Sequence, residues 1–102
     1  MIRKYDYSKE PDREVKTWDD LLFYMWMGRE IEFFFNEVPY FVEPNWNLET
    51  VDFEDFTLYI CDSSPQGELV FTGTDEQFID YKFENKYTLR DNFDKFRVGD
   101  IF

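Results

Sequence analysis

Aromatic side chains make up 23 of this chain's 102 residues, thirteen Phe, seven Tyr and three Trp, and that density decides what the chain can fold into. Each ring buries a large area, so a short chain can close a core from few positions. The rest of the composition pulls the other way. A net charge of −12 and a mean hydropathy of −0.61 resemble chains with heavily charged surfaces, and the rings resolve the conflict in favour of a folded domain. At this length there is room for one domain, burying roughly 60–70 % of the unfolded chain's surface. The sequence holds no His, the side chain that most often serves as general base and metal ligand near neutral pH. Most hydrolase and zinc chemistries go with it.

Patterning along the chain predicts an α+β fold. Residues 1–16 show no sustained period and hold Pro11 among alternating charges, which reads as an extended arm, with residues 17–102 as a single compact α+β domain. Thr17 with Asp20 forms a capping-box start, and Trp18, Leu21, Leu22, Met25 and Trp26 repeat at helical spacing until Gly28, predicting a helix over 18–27. Arg29 to Phe35 alternates and, after Asn36-Glu37, resumes as Val38 to Glu43, a hairpin whose Pro39 points to an edge or an irregular start. Residues 44–55 read as an acidic loop. Phe56 to Cys61 and Glu68 to Thr72 flank the turn-rich Asp62 to Gly67, predicting a second hairpin. Thr74 with Gln77 caps a short helix through Tyr81, and Thr88 opens another carrying Leu89, Phe93 and Phe96 on one stripe. Val98 to Phe102 supplies a candidate short strand. The expectation is an N-terminal helix, a four-stranded, mainly antiparallel sheet of two hairpins, and two short C-terminal helices.

Charge is distributed unevenly. Residues 17–81 carry fifteen carboxylates against the single Arg29, whereas both flanking segments are nearly balanced. Such a field repels nucleic acid and anionic membrane and attracts basic partners, although solubility alone also explains many acidic chains. The pairs Asp19-Asp20, Glu54-Asp55 and Asp75-Glu76 offer an acid and a base of the kind glycosidases use. Adjacent acids arise by composition here, and a helix-initial pair answers the macrodipole, so no catalytic residue is assigned. Asp62 to Gly67 departs from a calcium loop at its third, fifth and twelfth positions. The four glycines form no phosphate-cradling motif. No metal site or cofactor is expected. Cys61 is expected as a buried or half-buried packing residue.

A lone Cys, no apolar stretch of signal-peptide length near the start and no segment of membrane-span length point to the cytoplasm. The strongest candidate site is the acidic middle itself. Glu30 and Glu32, two apart on a strand, project from one face about 6.6 Å apart. Glu37, Glu43, Glu49, Asp52, Glu54 and Asp55 extend a segment, 30–55, without a basic residue. Tyr40 and Trp46 are candidate aromatic anchors within it.

Thr17-Trp18-Asp19-Asp20-Leu21-Leu22, then Gly28 to Phe33 leading to Tyr40, Phe78-Ile79-Asp80-Tyr81-Lys82 and Thr88-Leu89-Arg90-Asp91 together resemble small acidic proteins of unassigned activity from Gram-positive bacteria, their phages and mobile elements. The likeness spans roughly residues 17–95, and its motifs are helix caps and strand patterns. It implies a setting in which inhibitor and immunity proteins are common; anti-CRISPR inhibitors are similar in size and charge. The expected function is a non-enzymatic, acidic protein-binding module that occupies a basic surface, such as that of a nucleic-acid-binding enzyme, without contacting nucleic acid or membrane itself. The alternative is an immunity-type or accessory protein that binds through an aromatic patch, its acidity serving solubility. Exposed edge strands leave a homodimer open.

Overall fold

The computed structural model describes residues 15–61 and 67–102. The arm expected over 1–16 lies outside them except for residues 15 and 16, as does the turn expected from Asp62 to Gly67 up to residue 66. The chain runs α1 (Trp18–Trp26), β1 (Ile31–Phe35), β2 (Val38–Pro44), β3 (Phe56–Ile60), β4 (Glu68–Gly73), α2 (Asp75–Ile79), α3 (Leu89–Asn92), a 3-10 turn (Phe93–Lys95) and β5 (Phe96–Ile101). The strands form one sheet in the order β4-β3-β2-β1-β5, every neighbour antiparallel. The α+β class is as the patterning predicts.

Local chemistry sets the boundaries. Thr17 and Asp20 close a reciprocal capping box at α1, and Thr74 and Gln77 do the same at α2, each cap worth about 1 kcal/mol. Thr88 accepts from the Asp91 amide to start α3. The candidate C-terminal strand is present as the fifth of the sheet, and it starts before Val98 because the last helix is shorter than its apolar stripe suggests. The helical run stops at Asn92, and Phe96, assigned from spacing to that helix, instead opens β5 and pairs with Phe35. An uncovered β1 edge would leave a row of backbone donors and acceptors without partners, which β5 supplies.

Strand alternation then sorts the rings onto two faces. Ile31, Phe33 and Phe35 of β1, Tyr40 and Val42 of β2, Phe56 and Leu58 of β3, and Phe96 of β5 are buried on the inner face. The elements after β4 close over them. Phe78 of α2 and Phe83 of the following loop reach Phe33 with ring centroids 6.2 and 5.9 Å away, and Leu89 of α3 is fully buried beside them. In α1, residues Leu21 through Trp26 are all buried, as fits a helix covered on all sides. The Trp26 indole N–H donates to the buried Asp75 carboxylate at 3.1 Å, tying the end of α1 to the start of α2. Asp75, one of the helix-initial pair, is therefore a structural acceptor.

The β1–β2 turn has φ of 49° at Asn36 and 67° at Glu37. Two successive left-handed residues define the type I′ hairpin turn, which favours Asn-Gly. Glu37→Gly removes the Cβ clash at the second position and should raise stability by about 1 kcal/mol, read as a higher denaturant midpoint at unchanged slope.

Candidate protein-binding face

The alternation that fills the core leaves the other side of the sheet with its own composition. Its positions are Glu32 and Phe34 on β1, Pro39, Phe41 and Glu43 on β2, Thr57 and Tyr59 on β3, Leu69 and Thr72 on β4, and Arg97 and Gly99 on β5, as the registers dictate. Among the described residues no helix lies against this side. Phe34, Phe41 and Tyr59 are half-buried and Leu69 is exposed.

Three of the eight predicted acids meet here. Glu32 stands opposite Phe41, which stands opposite Tyr59. The β1–β2 register pairs Ile31 with Val42, so one step further Glu30 falls beside Glu43. Glu30 lies just before β1 but still continues the ladder, because its carbonyl accepts the Phe102 amide at 2.8 Å. Glu30, Glu32 and Glu43 therefore share the outer face. Gly99 is what lets Glu32 settle there: a Cβ built on Gly99 would sit 2.7 Å from its Oε1. Glu43 hydrogen-bonds the Tyr59 side chain, and burial followed by this neighbouring carboxylate raises the Tyr59 pKa above its ordinary value.

Four more predicted acids, Glu49, Asp52, Glu54 and Asp55, belong to the loop that leaves β2 at the same end of the sheet. That loop is folded on itself. Asn47 and Asp52 exchange backbone hydrogen bonds at 2.7 and 3.3 Å, and the Asn47 side chain accepts the Glu49 amide. Asp55 accepts from Asn45 Nδ2 at 3.0 Å, and the Thr57 hydroxyl donates to Asn45 Oδ1. Buried Phe53 pins the loop to Trp26 and Phe56. The Trp46 ring lies over Phe53, in space that a Cβ at Gly28 (φ +84°) would crowd at 3.0 Å. Val51 is held at φ 54°, uncommon for a β-branched residue, and the tip leaves Leu48 88 % and Val51 76 % exposed. An open hollow of about 560 Å³ is lined by Asn45, Asn47, Asp52 and Asp55 among others. Among the described residues no group of three or more acidic or Cys side chains is placed to hold a metal ion.

The remaining expectations divide. Glu37 sits in the β1–β2 turn at the opposite end of the sheet, apart from the others. Tyr40 is not a surface anchor: it is 8 % exposed and stacks on Phe33 at 5.6 Å with rings 13° apart. Its neighbour Phe41 holds the outward position, because Val42 and Pro44 carry the inward parity of β2. Trp46 is 47 % exposed but in the loop, so the two expected anchors do not meet. Cys61, expected as a packing residue, is exposed just past β3. It shares the outward parity of Thr57 and Tyr59. Phe34 and Phe102 join the outer face as well; the sequence signal for Phe34 is a third aromatic in β1 at the wrong parity for the core.

No protein-family model, curated protein or solved structure matches this chain. No helix among the described residues is long and apolar enough to cross a membrane.

Because the Tyr59 phenol donates to an ionised Glu43, the contact is present at neutral pH and is lost as pH rises through the elevated Tyr59 pKa. Ultraviolet titration should place Tyr59 above the ordinary tyrosine range. In Glu43→Gln that transition should move down, because the neighbouring negative charge is gone while burial remains.

Proposed function

We propose that this chain is a non-enzymatic protein-binding module whose outer sheet face and adjoining acidic loop dock onto a basic protein surface. The observation that carries this reading is the meeting of Glu30, Glu32 and Glu43 with half-exposed rings on a side of the sheet that no helix covers among the described residues. The carboxylates of Glu49, Glu54 and Asp55 extend the same end of the molecule, while Lys95 and Arg97 lie toward the other, where β5 begins beside the end of β1. Regularly spaced carboxylates can take the place of backbone phosphates on a surface built of Lys and Arg. The partner class is thus a basic protein, such as a nucleic-acid-binding enzyme of a defence system, with this chain as its inhibitor in a phage or mobile-element setting. Electrostatic steering would make association fast and salt-sensitive.

The exposed rings favour a second reading, an accessory or immunity-type protein that binds through Phe34, Phe41 and Tyr59 with its charge serving solubility. Salt separates the two. Capture of a partner from nuclease-treated lysate, followed by affinity measurement with the purified pair, should show at least a tenfold loss between low and high salt, with DNA or RNA competing. The combined Glu30→Gln, Glu32→Gln and Glu43→Gln variant should bind at least tenfold more weakly, at unchanged fold by circular dichroism. Salt-insensitive binding that survives this variant assigns the interaction to the rings.

A further inference from the structure

The outer face joins aromatic rings and carboxylates on one surface. Its rings are half-exposed, and among the described residues no cation is paired with Glu30, Glu32 or Glu43. The Phe41 and Phe102 rings approach to 6.2 Å between centroids at 53°. Since Phe41 stands opposite Glu32 and Phe102 hydrogen-bonds at Glu30, that contact crosses β1 between the two glutamates. A ridge of aromatic surface therefore runs across the face, with Glu32 on one flank and Glu30 and Glu43 on the other. Farther along the same face, the Arg97 guanidinium lies 4.0 Å from the centroid of the Phe34 ring. The face thus already seats one guanidinium on one of its rings.

We infer that the Phe41–Phe102 ridge is the seat for an arginine side chain of a basic partner segment. The guanidinium would lie on the ring surface with its N–H fork turned toward the Glu32 or Glu43 carboxylate. Charge complementarity selects a cation, and ring stacking selects arginine over lysine. The guanidinium is planar, more weakly hydrated and offers five donors in a fork that fits a carboxylate, whereas the ammonium is a compact, strongly hydrated charge. This inference rests on the protein-binding reading above and narrows it to the residue type that the partner presents.

The test is titration of the full chain with octaarginine and, separately, octalysine, followed by backbone amide chemical shifts. Octaarginine should bind about threefold more tightly, the size expected of a solvent-exposed cation–π contact, with the largest shifts at Glu32, Phe41, Glu43 and Phe102. Phe102→Ala, at an exposed residue, should erase the preference without threatening the fold, and Phe41→Ala should act in the same direction. Equal affinities, with shifts spread through residues 45–55, would overturn the arginine seat and leave acidic docking standing. No binding of either peptide would overturn both. A concentration-dependent dimer whose shifts fall on this face would assign it to a second copy of the chain and overturn the seat.

Discussion

Phe33 is the central residue of β1, which lies between β2 and β5 in the sheet, and the covering elements converge on its ring. Tyr40 from the neighbouring strand stacks on it, Phe78 comes from α2, Phe83 from the loop after it, and Phe96 from β5 at 6.2 Å. A short chain with a third of its residues charged has few positions to spare for a core, and these rings, drawn from several elements, supply the area around one side chain. Phe83 extends the cluster to Phe35, Tyr40, Tyr81 and Phe96. Because strand side chains alternate, fixing Phe33 inward fixes Glu32 and Phe34 outward, and through the ladders it fixes Phe41, Glu43 and Tyr59 outward as well. The outer face, with its carboxylates and rings, is the obligatory reverse of the core.

That coupling gives the two faces different duties. The inner rings are packed edge to face and stacked, with little room for substitution. On the outer side, among the described residues, Phe41 meets Phe102, Phe34 carries Arg97 and Tyr59 bonds Glu43. The acidic loop is positioned by the same core: Phe53 is buried beside Trp26, whose indole is held by Asp75, and the Gly28 turn at the end of α1 admits Trp46. Carboxylates on this loop are therefore presented from a preorganised turn, which lowers the ordering cost of docking.

Much of this was legible in the sequence where a local rule decides the outcome. The capping residues at Thr17 and Thr74, the Asn36-Glu37 turn and the alternation of β1 each have a short-range cause. The fifth strand starts two residues before the expected Val98, because Leu89, Phe93 and Phe96 fit a helical stripe as well as they fit a helix end followed by a strand; only the pairing of Phe96 with Phe35 separates the two. Tyr40 and Phe41 are adjacent rings of opposite parity, and their assignment depends on which side the helices cover, a tertiary fact. Cys61 was misplaced for the same reason. The left-handed backbone at Val51 has no sequence signal, since neither Gly nor Asn stands there. Of the predicted acids, the strand members could be grouped by parity, whereas the separation of Glu37 from the rest follows from strand direction.

The division of the sheet into a core face and an outer face that the fold does not depend on is tested most directly by equilibrium denaturation of the full chain carrying Phe33→Ala, compared with Phe41→Ala and Phe34→Ala. Removal of Phe33 should cost about 3–5 kcal/mol or abolish folding, as for a fully buried ring, while each outer substitution should cost about 1 kcal/mol or less. An outer substitution as costly as Phe33→Ala would mean that the outer rings belong to a second core, and would contradict the account.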